Sequence, residues 1–150
     1  MGKKSQTKIG KLAKNRGSLY ELEIAKGLFD QLGIKFQRVL EQVRTSGLGD
    51  LECDEPSWPF AIECKRRKKG NHIPIGAWQQ ALQASDAKNG IYPAVLYRYD
   101  NRPTRVCVSY ASIVEAETGK PSENIHDRCE ISFDRFCKLT REILAWRAET

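Results

Sequence analysis

The chain lacks the features that mark membrane and secreted proteins. Its 150 residues contain no apolar run close to the roughly 20 residues that span a bilayer, and the longest apolar stretch, near residues 91–97, is only as long as a strand. The basic N-terminus is not followed by the apolar segment of a secretory signal, and Gln6 stands where a myristoylation pattern needs Ser or Thr. We therefore expect an intracellular protein.

Cysteine and histidine are too few, and too far apart, for a zinc site. The five cysteines are an odd number and form no CxxC pair, which predicts free thiols in a reducing compartment. The two histidines, His72 and His126, are isolated from each other and from the cysteines. We expect neither histidine to be a metal ligand.

Acidic residues are absent from the first 16 positions, although the chain has 19 of them against 25 Lys and Arg. The net charge of +6 therefore comes from six residues in that segment, Lys3, Lys4, Lys8, Lys11, Lys14 and Arg16. A second basic block comprises Lys65, Arg66, Arg67, Lys68 and Lys69. Residues 1–16 are predicted to be a flexible basic arm and residues 17–150 a single domain, and the two basic features suggest a nucleic-acid partner.

Hydrophobic periodicity predicts an α/β domain. Apolar residues at helical spacing indicate helices over 18–32, about 75–89, and from about 132 onward, with Ser18 and Glu21 forming a capping-box pattern. Strands are predicted over 34–40, 50–53, 59–65, 92–97 and 105–110, with loops over 44–49 and 119–127. This order predicts a mixed central sheet with flanking helices, and a C-terminal helix whose apolar stripe packs on it.

The second and third predicted strands carry residues suited to phosphodiester chemistry. Asp50 opens one strand and Glu63 lies near the end of the next, so their carboxylates can converge on one cation, since neighbouring strands lie roughly 4.8 Å apart. Period-two alternation puts Glu63 and Lys65 on one face of the strand. Two acids and a lysine in this arrangement suit metal-assisted attack of water on a phosphodiester, because Mg²⁺ binds oxygen ligands.

The motifs at these positions resemble those of the PD-(D/E)XK nuclease superfamily. Gly49-Asp50 is followed by Glu63-Cys64-Lys65, and the closer likeness is to the archaeal and phage Holliday-junction-resolvase-like branch. That branch also has a Gly-x-x-x-Glu on the first helix, a Ser-Gly loop and a Gln on the second helix. The chain matches these features with Gly17 to Glu21, Ser46-Gly47, and Gln79-Gln80.

The resemblance, which covers about residues 17–98, implies a restriction-endonuclease-like αβββαβ core. It implies Mg²⁺, replaceable by Mn²⁺, held by Glu21, Asp50 and Glu63, with Lys65 as the catalytic lysine and Gln80, or Gln79, supporting the site. It implies a homodimer that acts on branched four-way DNA junctions. The residues expected to contact DNA are those of the arm together with Arg44, Ser46, Arg66, Arg67, Lys68 and Lys69.

Alternative interpretations remain at this level. Glu21 could simply cap a helix, and Glu52 could be an additional or rival metal ligand. Gly49 stands where the family often has Pro, a departure that affects the loop more than the ligand. The protein could be a restriction-like or nicking nuclease on ordinary duplex, or a non-catalytic nucleic-acid-binding module. Intact Asp50, Glu63 and Lys65 argue against the last of these.

Overall fold

The computed structural model describes the backbone of residues 2–40 and 49–149, and the side chains of residues 16–40 and 49–149. The described helices are α1 (Gly2–Leu32), α2 (Ala77–Ala84), α3 (Tyr110–Thr118) and α4 (Phe133–Ala148). The described strands are β1 (Phe36–Arg38), β2 (Leu51–Cys53), β3 (Phe60–Arg67), β4 (Tyr92–Tyr99), β5 (Arg105–Ser109) and β6 (Arg128–Ser132). The predicted mixed α/β architecture with a C-terminal helix is confirmed.

The six strands form one sheet in chain order, from β1 at one edge to β6 at the other. β3 and β4 are parallel, while the other neighbouring strands are antiparallel. A parallel pair needs a crossover connection, and α2 lies within it. The β3–β4 register places Glu63 beside Val95 and Lys65 beside Tyr97.

Helices cover both faces of the sheet, so β3 is buried on both sides for most of its length. Phe60, Ile62 and Cys64 join the larger apolar core, which includes residues of α1, α3 and α4. The opposite face has a smaller core in which α2 packs on Val95 and Tyr97 of β4. Because Glu63 and Lys65 alternate with the first group, they face α2, as the period-two pattern predicts.

Helix α1 begins at Gly2, so the predicted start near residue 18 is wrong. Tyr20, Ile24 and Leu28 anchor its second half in the core. Helix propagation adds one hydrogen bond per residue once a turn has formed, and five of the residues at positions 2–16 are Lys, a good helix former. Tertiary anchoring and good helix formers together extend the helix beyond the apolar pattern that predicted it.

Three further differences lie in the second half of the chain. Helix α2 ends at Ala84 rather than near 89, and a short 3-10 turn, Ala87–Asn89, follows it. Helix α3 was not predicted, although Ser109 caps it by accepting a hydrogen bond from the N–H of Ser112. Strand β6 was not predicted either, because it is a five-residue edge strand with little apolar content. The predicted loop over 119–127 contains no helix or strand.

The C-terminal helix packs against the sheet, as its apolar stripe predicts. Phe136 lies at 0% exposure, with its ring centroid 4.8 Å from that of Phe60. Near the end of α4, Arg147 forms a bidentate ion pair with Glu115 of α3, at 2.7 and 3.0 Å. Tyr92 donates a hydrogen bond to the same carboxylate at 2.7 Å. This network fastens the C-terminus to the centre of the sheet.

Two expectations drawn from composition also hold. All five cysteines are free thiols. In the parts of the chain that the structure describes, no helix combines the length and apolar character needed to cross a membrane.

Candidate active site

Asp50 lies immediately before β2, with its backbone and its side chain both bonded to β3. The residue is 3% exposed. Its N–H donates to the carbonyl of Ile62 at 2.5 Å, and its Oδ2 accepts a hydrogen bond from the N–H of Cys64 at 2.7 Å. Those two backbone groups flank Glu63. The carboxylate of Asp50 is therefore held beside the strand that carries Glu63 and Lys65.

Gly49 makes this close approach possible. A Cβ atom at position 49 would lie 2.1 Å from the carbonyl oxygen of Ile62, well inside van der Waals contact. Any side chain would therefore push the segment before β2 away from β3. The requirement for a glycine here explains why the motif reads Gly-Asp.

Glu63 and Lys65 lie on the face of β3 that α2 covers. Glu63 is 4% exposed, whereas Lys65, two residues further along the strand, is partly exposed. Burying an ionised carboxylate is costly unless charges, hydrogen bonds or a metal ion stabilise it. The two residues share one face of β3, as the period-two pattern predicts, and the structure buries the acid while it leaves the lysine partly exposed.

Cys64 shows how closely the charged groups gather. Burial raises the pKa of its thiol well above the ordinary value, and the carboxylates of Asp50, Glu21 and Glu63 raise it further, in that order of effect. The ammonium of Lys65 acts in the opposite direction. The structure therefore brings all four predicted groups within electrostatic range of one sulfur atom.

Glu21 reaches this region from α1, but it has a partner there. Its Oε2 accepts a hydrogen bond from Nε of Arg38 at 2.5 Å, and its side chain is 14% exposed. Because α1 continues through Ser18 without a break, Glu21 lies within the helix. The alternative interpretation of Glu21 as an N-terminal helix cap is wrong.

Gln80 and Glu52 are not joined to the acids by hydrogen bonds within the described residues. Gln80 is exposed on α2, next to Ala81, whose side chain is buried against the sheet. Glu52 accepts a hydrogen bond from Gln37 at 2.9 Å, across the β1–β2 pair at the edge of the sheet. The supporting role of Gln80 and the rival role of Glu52 stay predictions.

The donor set at Asp50 and Glu63 fits a hard divalent cation. Among the described side chains, no three from His, Cys, Asp and Glu are grouped as a ready-made metal cage. Mg²⁺ does not need such a cage, because it is usually held by one or two carboxylates, with water and substrate phosphate completing its shell. Two mostly buried carboxylates on adjoining segments meet that requirement, and Glu21 is a third oxygen donor close by.

The basic block after Lys65 divides into two parts. The guanidinium of Arg66 forms an ion pair with Asp100 at 2.5 Å, and its side chain is only 13% exposed. Arg67, Lys68 and Lys69 are exposed at the end of β3. Those three residues are the ones that the fold presents to solvent beside the site.

Two arginines that the sequence analysis did not single out lie close to this block. Arg102 and Arg105 line a cleft of about 200 Å³, together with Gly70 at the end of the block and Tyr97 of β4. Arg105 lies in register with Tyr97, which lies in register with Lys65, so the three residues form a row across three strands. The strand pairing, which no local pattern indicates, is what makes these arginines neighbours of the site.

The remaining predicted contacts lie outside the described residues. Arg44 and Ser46 fall within residues 41–48, and the same applies to the side chains of Lys3, Lys4, Lys8, Lys11 and Lys14. Arg16, the last residue of the basic segment, is partly exposed on α1.

Comparison with known proteins gives a match over most of the chain. A family model described as phage putative PDDEXK endonuclease matches residues 12–143, from the first half of α1 to α4. No curated protein and no solved structure matches the chain. The match includes Asp50, Glu63 and Lys65 together with the sheet and helices that position them. The chain belongs to this family of phage PD-(D/E)XK endonucleases.

Proposed function

We propose that the protein is a Mg²⁺-dependent endonuclease that cuts DNA at branched four-way junctions and acts as a homodimer. The observation that carries the metal-dependent part is the hydrogen bond from the N–H of Cys64 to Asp50, which ties one carboxylate to the strand bearing Glu63 and Lys65. Nuclease activity agrees with the family to which the chain belongs.

The roles of the residues follow from their chemistry and position. Asp50 and Glu63 would hold Mg²⁺, which supplies positive charge to stabilise the charge that develops on the phosphate oxygens. Glu21 would join them through Oε1, the carboxylate oxygen that Arg38 does not bond. Lys65 would orient the attacking water or neutralise phosphate charge, since its ammonium is a flexible donor with three N–H groups.

The exposed cations beside the site support DNA as the substrate. Arg67, Lys68 and Lys69 are exposed where β3 ends, and Arg102 and Arg105 line the adjacent cleft. Phosphate contacts of this kind position a nucleic acid without reading its sequence. A DNA backbone that crosses this end of the sheet would pass next to Lys65.

The preference for junctions rests on the resemblance to resolvase-like nucleases. A four-way junction presents two symmetric strands for cleavage, and a twofold homodimer would place one site at each of them. The proposed dimer follows from that symmetry.

The test compares two DNA molecules of matched sequence, a four-way junction and a linear duplex. Each is incubated with the wild-type protein in Mg²⁺ or in EDTA, and sedimentation measures the oligomeric state at the same protein concentration. We expect Mg²⁺-dependent cutting of the junction, little cutting of the duplex, and a dimer. If neither DNA molecule is cut, the proposal that the protein is a nuclease is refuted. Equal cleavage of the two would refute the preference for junctions, and sedimentation as a monomer would refute the proposed dimer.

A further inference from the structure

The hydroxyl of Tyr97 is a buried polar group that lacks a hydrogen-bond partner. Tyr97 is 2% exposed, and its hydroxyl oxygen has no partner in the described part of the chain. The other tyrosines of the core are satisfied: Tyr20 bonds to Thr104 at 3.0 Å, Tyr92 donates to Glu115 at 2.7 Å, and Tyr99 donates to the carbonyl of His72.

An unpaired buried hydroxyl destabilises a folded protein, because the group loses its bonds to water and gains none in return. Phenylalanine would fill the same space in the small core around Tyr97 without that penalty. Exceptions of this kind in native structures call for an explanation, and a catalytic role is one of the established ones.

The position of Tyr97 indicates the partner that it lacks. Tyr97 lies in register with Lys65 on the adjacent parallel strand, and neighbouring strands are about 4.8 Å apart. Both side chains lie on the face that α2 covers, and Ala77 and Ala81 of α2 belong to the same small core as Tyr97. An ammonium donates hydrogen bonds and accepts none, while a phenolic oxygen can accept one. The low polarity around Tyr97 would strengthen such a bond.

We propose that Tyr97 is a positioning residue for the nuclease site: its hydroxyl accepts a hydrogen bond from the ammonium of Lys65 when DNA is bound. This inference rests on the function proposed above, in which Lys65 acts on the phosphate. Catalytic hydrogen bonds are often long in free enzymes and shorten only in the substrate complex. Entry of DNA would exclude water from the partly exposed Lys65, and the hydroxyl of Tyr97 would take the place of a water molecule as its acceptor.

The test is Tyr97→Phe, with Tyr92→Phe as the matched control. For Tyr97→Phe we expect an unchanged or higher Tm and a DNA affinity within about twofold of wild type. The single-turnover cleavage rate should be at least about tenfold lower, because a hydrogen bond to a charged group contributes that much to a rate. For Tyr92→Phe, which removes a bond to Glu115 far from the site, we expect a lower Tm and an unchanged cleavage rate per folded molecule.

Each other outcome has a definite meaning. An unchanged cleavage rate in Tyr97→Phe, with active wild type, overturns the proposal for Tyr97 and leaves the nuclease function standing. A lower Tm would show that the hydroxyl has a structural partner, and a loss of affinity equal to the loss of rate would show that it contacts DNA directly; either result overturns the positioning role. Failure of the wild type to cut any DNA refutes the proposed function, and the role of Tyr97 falls with it.

Discussion

Oδ2 of Asp50 accepts a hydrogen bond from the backbone N–H of Cys64 at 2.7 Å, within the Glu63-Cys64-Lys65 motif itself. One predicted metal ligand is thus fixed by the backbone of the strand that carries another. A backbone donor has no side-chain freedom, so the position of the Asp50 carboxylate depends on the fold more than on the rotamer of a partner. Preorganisation of this kind lets a site stabilise developing charge without first rearranging.

Gly49→Ala tests this geometry. The added methyl group would lie 2.1 Å from the carbonyl oxygen of Ile62, so the segment must move away from β3. We expect a loss of about 1–3 kcal/mol in the free energy of unfolding, as for other overpacked sites, together with a large loss of cleavage. Chemical denaturation and a cleavage assay measure the two effects.

Gly17→Ala is the matched control for that substitution. Gly17 lies within α1 and has nothing within 4 Å of the position of an added Cβ. Alanine there should raise stability by about 0.5–1 kcal/mol through helix propensity. If Gly49→Ala behaved like Gly17→Ala, the close approach of Asp50 to β3 would be disproved.

Arg147→Ala should destabilise the fold without acting on the chemistry. It leaves the carboxylate of Glu115, which is 3% exposed, without its bidentate partner. We expect a loss of about 3 kcal/mol at neutral pH, typical of breaking a buried ion pair. Thermal unfolding measures the loss, and cleavage per folded molecule should stay at the wild-type level.

The effect of Arg147→Ala should depend on pH. Burial acts to raise the pKa of Glu115, but hydrogen bonds from Arg147 and Tyr92 outweigh it, so the net shift is downward. A carboxyl with a lowered pKa contributes stability above its unfolded pKa, about 4.3, and loses that contribution as the pH falls through its folded pKa. The difference in stability between the wild type and Arg147→Ala should therefore narrow as the pH falls below about 4.3 and through the lower folded pKa, while the bonds of Arg147 to the carbonyls of Ser57 and Gly90 maintain a remainder that does not depend on pH. A difference that is constant with pH would contradict the ionic role of the pair.

Arg102→Gln and Arg105→Gln test the DNA path across the end of the sheet. Arg105 is held by Glu130 at 3.4 Å in the free protein, so binding of DNA would exchange one anionic partner for another. Each phosphate contact removed should lower the slope of log binding constant against log salt by about 0.9. Arg135→Gln, on the exposed surface of α4, is the control and should leave the slope unchanged. Identical slopes in all three variants would show that the cleft does not contact DNA.

Deletion of residues 1–16 tests the basic segment. The core anchors of α1, Tyr20, Ile24 and Leu28, remain in the shortened chain. If all six cations contact phosphate, the salt slope should fall by up to about 5, with the single-turnover cleavage rate of bound DNA unchanged. An unaltered slope would mean that this segment does not touch DNA.

The sequence predicted the placement of Glu63 and Lys65 better than it predicted the elements around them. Side chains alternate along a strand, so Glu63 and Lys65 share a face. This property is local, and three residues are enough to predict it. The burial of Glu63 depends on the packing of α2 over that face, which the alternation alone does not show. Local chemistry therefore identified the residues that the structure gathers around Cys64.

Features that depend on pairing between distant strands escaped prediction. Arg105 lies in a row with Lys65 only because β3, β4 and β5 align in that register. The unpaired hydroxyl of Tyr97 is equally invisible, since a buried tyrosine within an apolar run is an ordinary core residue. Strand β6 is too short and polar to be recognised from its own residues. It forms because its backbone pairs with that of β5.

The most direct test of the central claim is the rate of DNA cleavage by Asp50→Asn as a function of Mg²⁺ concentration. The amide can still accept the hydrogen bond from Cys64, so the fold and DNA binding should persist, while the loss of a charged ligand should lower the rate at least about 100-fold. Asp54→Asn, the same change at an exposed position nearby, should cut like the wild type. Cleavage by Asp50→Asn at the wild-type rate would contradict the account, and so would joint loss of DNA binding and cleavage.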